Sequence, residues 1–240
     1  MSIYIPNAVD EQRESSEMMD EVKLISFLLS PFGRKVEIAL RAKGIAYQVV
    51  EEDLKNKSEI LLEANPVYKK IPVLIHRGRS ICESRLIVEY IDEMWPSAHQ
   101  LFPQDPYDRY LVRFWADFLD HKIRGIGIMC ADQKGEMEIV REEYKEMWSR
   151  VESGVGELEK RGMVLCEGKR QVNYVDVVMG SWMPWFVPLE TCGGLVFPSL
   201  DDCPALHRWL RALARNTLVT STFPTSTQMM DYARKRFHLQ

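Results

Sequence analysis

The chain has 240 residues, 46% hydrophobic and 28% charged, with a formal net charge of −4 at pH 7. That length suits one large domain or two small ones, and an ordinary composition without a basic cluster gives no electrostatic case for a nucleic-acid partner. No apolar run reaches the ~18 residues of a membrane span.

The start MSIYIPNAVDEQRESSEMMDE is acidic and polar, unlike a secretory signal or an Arg-rich transit peptide, and residues 1–20 read as a flexible extension. EVKLISFLL is then an apolar, β-rich run and a candidate buried strand. Residues 31–43 follow as an amphipathic helix with Val36, Ala39 and Leu40 on one face, closed by Gly44. AYQVVEED is a second strand, and SEILLEANP a short helix stopped at Asn65-Pro66. IPVLIHRGRSIC gives two strands around Gly78, and SRLIVEYIDEMW a helix. The order β-α-β-α-β-β-α predicts a thioredoxin-like α/β domain over residues 21–98. PSAHQLFPQDP, with three prolines, marks a linker that includes residues 99–106.

From residue 107 to 240 the pattern predicts an all-α helical bundle. YDRYLVRFWADFLDHKIRGIGIMC repeats apolar and aromatic residues at helical spacing, and EMEIVREEYKEMWSRVESGVGELEKRG is amphipathic, ending at Gly162. NYVDVVMGSWMPWFVPLE is apolar nearly all round and reads as one buried helix, with Asn173 and Asp176 as N-cap and N3 and Val172 and Val177 placed as a staple. CPALHRWLRALARN and TSTQMMDYARKRFHLQ finish the chain as two further helices.

The five cysteines, Cys82, Cys130, Cys166, Cys192 and Cys203, are scattered and never form CxxC. This argues for reduced thiols in a cytosolic chain and against a zinc site or a disulfide framework. Gly-rich phosphate loops, HExxH and GxSxG are absent.

Four polar features of the first half fall near strand ends, where α/β sheets bind ligands. These are Ser30 after the first strand, Lys57 before the short helix, KKIP at 69–72 including Lys70, and Glu83-Ser84 at the last helix start. One hydroxyl, two ammonium groups, a carboxylate and a helix N-terminus complement a small zwitterionic peptide with two carboxylates and one ammonium. Taken singly, each has a plainer reading. Ser30-Pro31 is an ordinary N-cap with Pro at N1, single lysines are solvated surface charges, and Ile71-Pro72 before a strand suits a cis bond.

The strings SPFGRKVEIALRAKGI, EEDLKNKSEILLEANPVYKKIPVLIHRGRSICES and RFWADF resemble the plant tau-class glutathione transferases in order and spacing over residues 22–123, and the resemblance resumes at NYVDVVMGSWMPWF. It implies a thioredoxin-like glutathione domain, an all-α second domain and a homodimer, with glutathione as cosubstrate and no permanently bound cofactor or metal. It further implies that the Ser30 hydroxyl activates the glutathione sulfur. Lys57 and Lys70 would hold the glycyl carboxylate side, Ile71 beside Pro72 the cysteinyl backbone, and Glu83 with Ser84 the γ-glutamyl end. Phe32, Arg124, Ile128, Ala131, Trp185 and Tyr232 would line a site for small hydrophobic electrophiles. Relatives commonly carry aromatic or basic residues at 124, 128 and 131, and Arg at 35 where this chain has Lys35. The activity implied is conjugation of glutathione to hydrophobic electrophiles, with peroxide reduction at the side. The alternatives are a non-catalytic ligand carrier and a thiol transferase or dehydroascorbate reductase, the last disfavoured because Ser30 cannot form a mixed disulfide.

Overall fold

The structure, a computed structural model, describes residues 21–96, 99–132, 137–165 and 171–238; the expected extension at 1–20 and Cys166 lie outside the described residues. The first half follows the expected order. It comprises β1 (Val22–Ser26), α1 (Pro31–Ala42), β2 (Gln48–Glu51), α2 (Glu59–Ala64), β3 (Val73–His76), β4 (Arg79–Cys82) and α3 (Ser84–Met94). The strands lie in the order β2-β1-β3-β4, with β1 parallel to β2 and antiparallel to β3, and β3 antiparallel to β4. Strand alternation sorts the two faces. Leu24 and Leu74 join the main core with Val36, Leu40, Ile87 and Ile91 of α1 and α3, whereas Ile25 and Val73 turn to Leu61 of α2. Arg77 (φ 52°) and Gly78 (φ 68°) make the β3–β4 turn, two successive left-handed residues as a tight hairpin requires.

The second half contains α4 (Pro106–Asp132), α5 (Met137–Lys160), α6 (Tyr174–Trp182), α7 (Phe186–Thr191), α8 (Pro204–Arg215), α9 (Thr217–Thr220) and α10 (Ser226–Arg236). Every residue of α6 is buried, as its all-round apolarity demands. Asp176 anchors its start. One carboxylate oxygen accepts from the Asn173 N–H at 2.7 Å; the other accepts from Leu165 N–H at 2.9 Å and the Trp209 indole at 2.6 Å. Val172 and Val177, the expected staple pair, are both fully buried.

Two expectations need correction. Residues 173–190 do not form one helix; Pro184 lacks an N–H, and a 3₁₀ turn at Met183–Trp185 separates α6 from α7. The short α9, capped by the Asn216 side chain on Leu218 N–H at 3.0 Å, was not anticipated.

Buried Arg34 on α1 joins the two halves. Its guanidinium donates to the carbonyls of Ser181 (2.9 Å), Leu28 (3.0 Å) and Thr222 (3.3 Å). Burial pushes its pKa down to about 10, against a smaller upward pull from Glu37, and it stays charged at neutral pH.

Candidate functional site

Two neighbouring cavities open where the sheet half meets the helical half. The larger, about 490 Å³, has a lining of nearly equal polar and apolar character; the smaller, about 200 Å³, is mostly apolar, and Phe32 and Arg124 line both.

Ser30 lies on the wall of the smaller cavity, at the N-cap of α1 with Pro31 at N1. Its Oγ accepts from the Gly33 N–H at 3.2 Å. A hydroxyl has two acceptor lone pairs and one donor, so capping consumes a lone pair and leaves the hydrogen. That hydrogen donates to no other described residue. Gly33 permits this close turn, because a Cβ there would lie 1.9 Å from buried Ser26 Oγ. The positive end of α1 adds to the field at Ser30.

Lys70, Ile71, Pro72, Glu83 and Ser84 all line the larger cavity. The Ile71–Pro72 bond is cis. Glu83 holds φ at +70° immediately before α3 and provides no side-chain cap, so the first-turn N–H groups of an eleven-residue helix have no side-chain partner there. A non-glycine residue in that region costs roughly 1–3 kcal/mol and is typical of ligand clamps. Neither the Glu83 carboxylate nor the Lys70 ammonium pairs with another described residue. Anion-binding N–H groups, a free carboxylate and a free ammonium thus share one cavity.

Across the cavity stand Asp117 and Asp120 of α4. Asp117 lies 3.9 Å from Arg85 and 3.4 Å from His121. Asp120 ion-pairs with fully buried Lys35 and accepts from the Trp182 indole at 2.8 Å. Lys35 also donates to Ser84 Oγ at 3.4 Å. Lys35, at a position where a guanidinium fork was expected, therefore ties α1 to both α3 and α4 as a point charge.

The smaller cavity brings together Phe32, Arg124, Ile128, Trp185 and Tyr232 from the expected set. Trp185 donates to the Leu29 carbonyl at 3.2 Å, pinning the segment before Ser30, and packs edge-on against Tyr232 with ring centres 5.9 Å apart. Two expected residues line neither cavity. Ala131 is 1% exposed, one helical turn past Gly127 along the same row of α4, where the cavity has ended and the core begins. Lys57 is exposed in the loop between β2 and α2, which sends Leu54 instead to the apolar wall.

Sequence reading missed Trp182, Ile123, Leu54 and Arg236. Helical spacing held a signal for two of them: Trp182 is three residues before Trp185, and Arg236 is four after Tyr232.

Residues 24–98 match the family described as glutathione S-transferase, N-terminal domain. Glutathione S-transferase U24 of Arabidopsis thaliana is 38% identical over 91% of this chain and 97% of its own. The chain belongs to the glutathione S-transferase family. Within it, the tau class is indicated by a mango (Mangifera indica) tau-class structure, 34% identical with a TM-score of 0.75 over 90% of this chain and 98% of that one. A rice GST1 structure, described as a complex with glutathione, is 34% identical with a TM-score of 0.79, covering 92% of this chain and 97% of that one.

The four described thiols of this glutathione S-transferase are held toward their neutral form. Burial, reinforced by Glu83, pushes the Cys82 thiol up, and burial does the same at Cys130, Cys192 and Cys203. All four are free. Among the described residues no helix is long and apolar enough to cross a membrane.

Proposed function

We propose that this chain conjugates the glutathione thiolate to hydrophobic electrophiles, with Ser30 as the activating hydroxyl. The observation that carries the reading is the pair of adjoining cavities, one mixed in character and one mostly apolar, with an undonated Ser30 O–H at the end of α1 beside their shared Phe32. A free thiol titrates near 8.5, so only a few per cent is thiolate at pH 7. A hydrogen bond from Ser30 and the α1 dipole favour the anion; lowering the thiol pKa by about two units requires roughly 2.7 kcal/mol, within reach of a charge-assisted bond and a helix terminus. Glutathione's carboxylates face Lys70 and the α3 N-terminus, and its ammonium faces Glu83. The thiol proton leaves to solvent, sulfur bonds to the electrophilic carbon, and a halide departs or, in conjugate addition, the neighbouring carbon takes a proton.

Initial rates with 1-chloro-2,4-dinitrobenzene test this directly. The wild type accelerates conjugation, and Ser30→Cys shifts the protein from conjugation toward disulfide exchange with glutathione. No acceleration by wild type, alongside tight binding of large apolar ligands, would make the protein a carrier.

We further propose a cytosolic homodimer. Tyr107, Tyr110 and Phe114 are about half exposed in one row of α4, with ring centres 5.9 and 6.0 Å apart, and Tyr68 and Leu86, which line the larger cavity, are also exposed large side chains of the kind a partner covers. Sedimentation at micromolar concentration shows a dimer that Tyr110→Glu dissociates; a wild-type monomer removes the proposal.

A further inference from the structure

The smaller cavity carries two positive charges that no acid inside it answers. Arg124 of α4 and Arg236 of α10 both line it, and no Asp or Glu does. Neither guanidinium has an ion pair or hydrogen bond with another described residue. Of the acids lining the adjoining cavity that Arg124 also borders, Asp120 pairs with Lys35 and Asp117 with Arg85 and His121, which leaves Glu83 as the unpaired one on the far, α3 side; on α10, Asp231 lies 3.7 Å from Arg234. Arg124 lies over the Phe32 ring at 5.9 Å from its centroid, at the junction of the two cavities. Basic residues are favoured in the last turn of any helix by its dipole, which accounts for a cation at Arg236. That explanation does not extend to Arg124, which stands within the 27-residue α4. An apolar wall with two uncompensated guanidiniums favours a ligand that is apolar along its body and anionic at one end.

Resting on the transferase reading, we propose that this cavity selects electrophiles that carry a carboxylate or similar anion on an aromatic or aliphatic body, and that Arg124 and Arg236 are the residues that recognise it. Positively charged donors in planar form suit a carboxylate.

The test compares 4-chloro-3,5-dinitrobenzoate with its methyl ester at saturating glutathione, each rate divided by its uncatalysed rate. In both, the C–S bond forms, the C–Cl bond breaks and chloride leaves. Wild type favours the acid over the ester. Arg124→Gln and Arg236→Gln each reduce that ratio about fivefold, the scale of one partly exposed charge pair, and Arg124→Lys retains more of it than the glutamine variant. Added salt lowers the ratio in the wild type and not in the double variant. A wild-type ratio near one, or glutamine variants that alter the KM for glutathione and leave the ratio unchanged, overturns the proposal. Binding of unreactive 3,5-dinitrobenzoate and its methyl ester, followed by quenching of Trp182 and Trp185 fluorescence, reads the same selectivity without turnover. If wild type conjugates neither electrophile, the transferase reading fails, and this binding ratio still decides whether the arginines select an anion.

Discussion

Helices α1 and α3 both begin at the cavities, and they begin in opposite ways. At α1, Ser30 is in an extended conformation (φ −76°, ψ 122°) and its hydroxyl caps the Gly33 N–H. At α3, Glu83 sits at φ +70°, caps nothing, and leaves the first-turn N–H groups without a side-chain partner. The capped start presents a hydroxyl hydrogen and is suited to a single sulfur. The uncapped start presents several backbone donors and is suited to a carboxylate. On the proposed reading, one local feature serves two chemical groups, and the residue before each helix decides which.

If the two starts differ in this way, damaging them gives different kinetics. Ser30→Ala carries the largest expected effect. It lowers conjugation at pH 6.5 by up to about fiftyfold, the fall in thiolate fraction if the whole shift of about two pKa units from 8.5 is lost. The rate rises with pH through the pKa of the bound thiol, so the inflection moves upward in the variant toward the free-thiol value; thiolate absorbance against pH measures it. An unchanged inflection would sink the role of Ser30. Glu83→Gly comes next. It relieves a left-handed non-glycine residue and removes a carboxylate, so thermal stability holds or rises by about 1 kcal/mol while the KM for glutathione rises about tenfold, the loss of one charge-assisted contact. Parallel losses in stability and affinity would mean that Glu83 serves the fold alone. The smallest effect separates two lysines. Lys70→Ala raises the KM for glutathione severalfold, whereas Lys57→Ala, at an exposed side chain outside the cavity, changes it by less than about twofold. Equal effects would bring Lys57 back into the binding site.

The sheet half was legible because each element is short, punctuated and periodic: Gly44, Asn65-Pro66 and Gly78 mark ends that the structure keeps. In the helical half the long apolar periods were equally readable, but the break at Pro184 was not, since its flanking residues continue the apolar pattern on both sides. A four-residue helix such as α9 is too short to show a period. For the site, the polar set from Lys70 to Ser84 lies within fifteen residues on adjoining segments and could be grouped from sequence. The apolar set comes from α1, the β2–α2 loop, α4, α6, the 3₁₀ turn and α10, and which turn of each helix faces the cavity depends on how the helices cross. That is why Ala131 was assigned to a wall that ends one turn earlier, and why Arg236 went unnoticed beside Tyr232.

Arg34 stands four residues after Ser30 and holds carbonyls from three separate segments, two of them in the helical half. The segment that carries Ser30 is therefore riveted to the helical half. Such a joint holds Ser30 in a fixed position relative to the helical wall of the smaller cavity, where Trp182, Trp185 and Tyr232 stand.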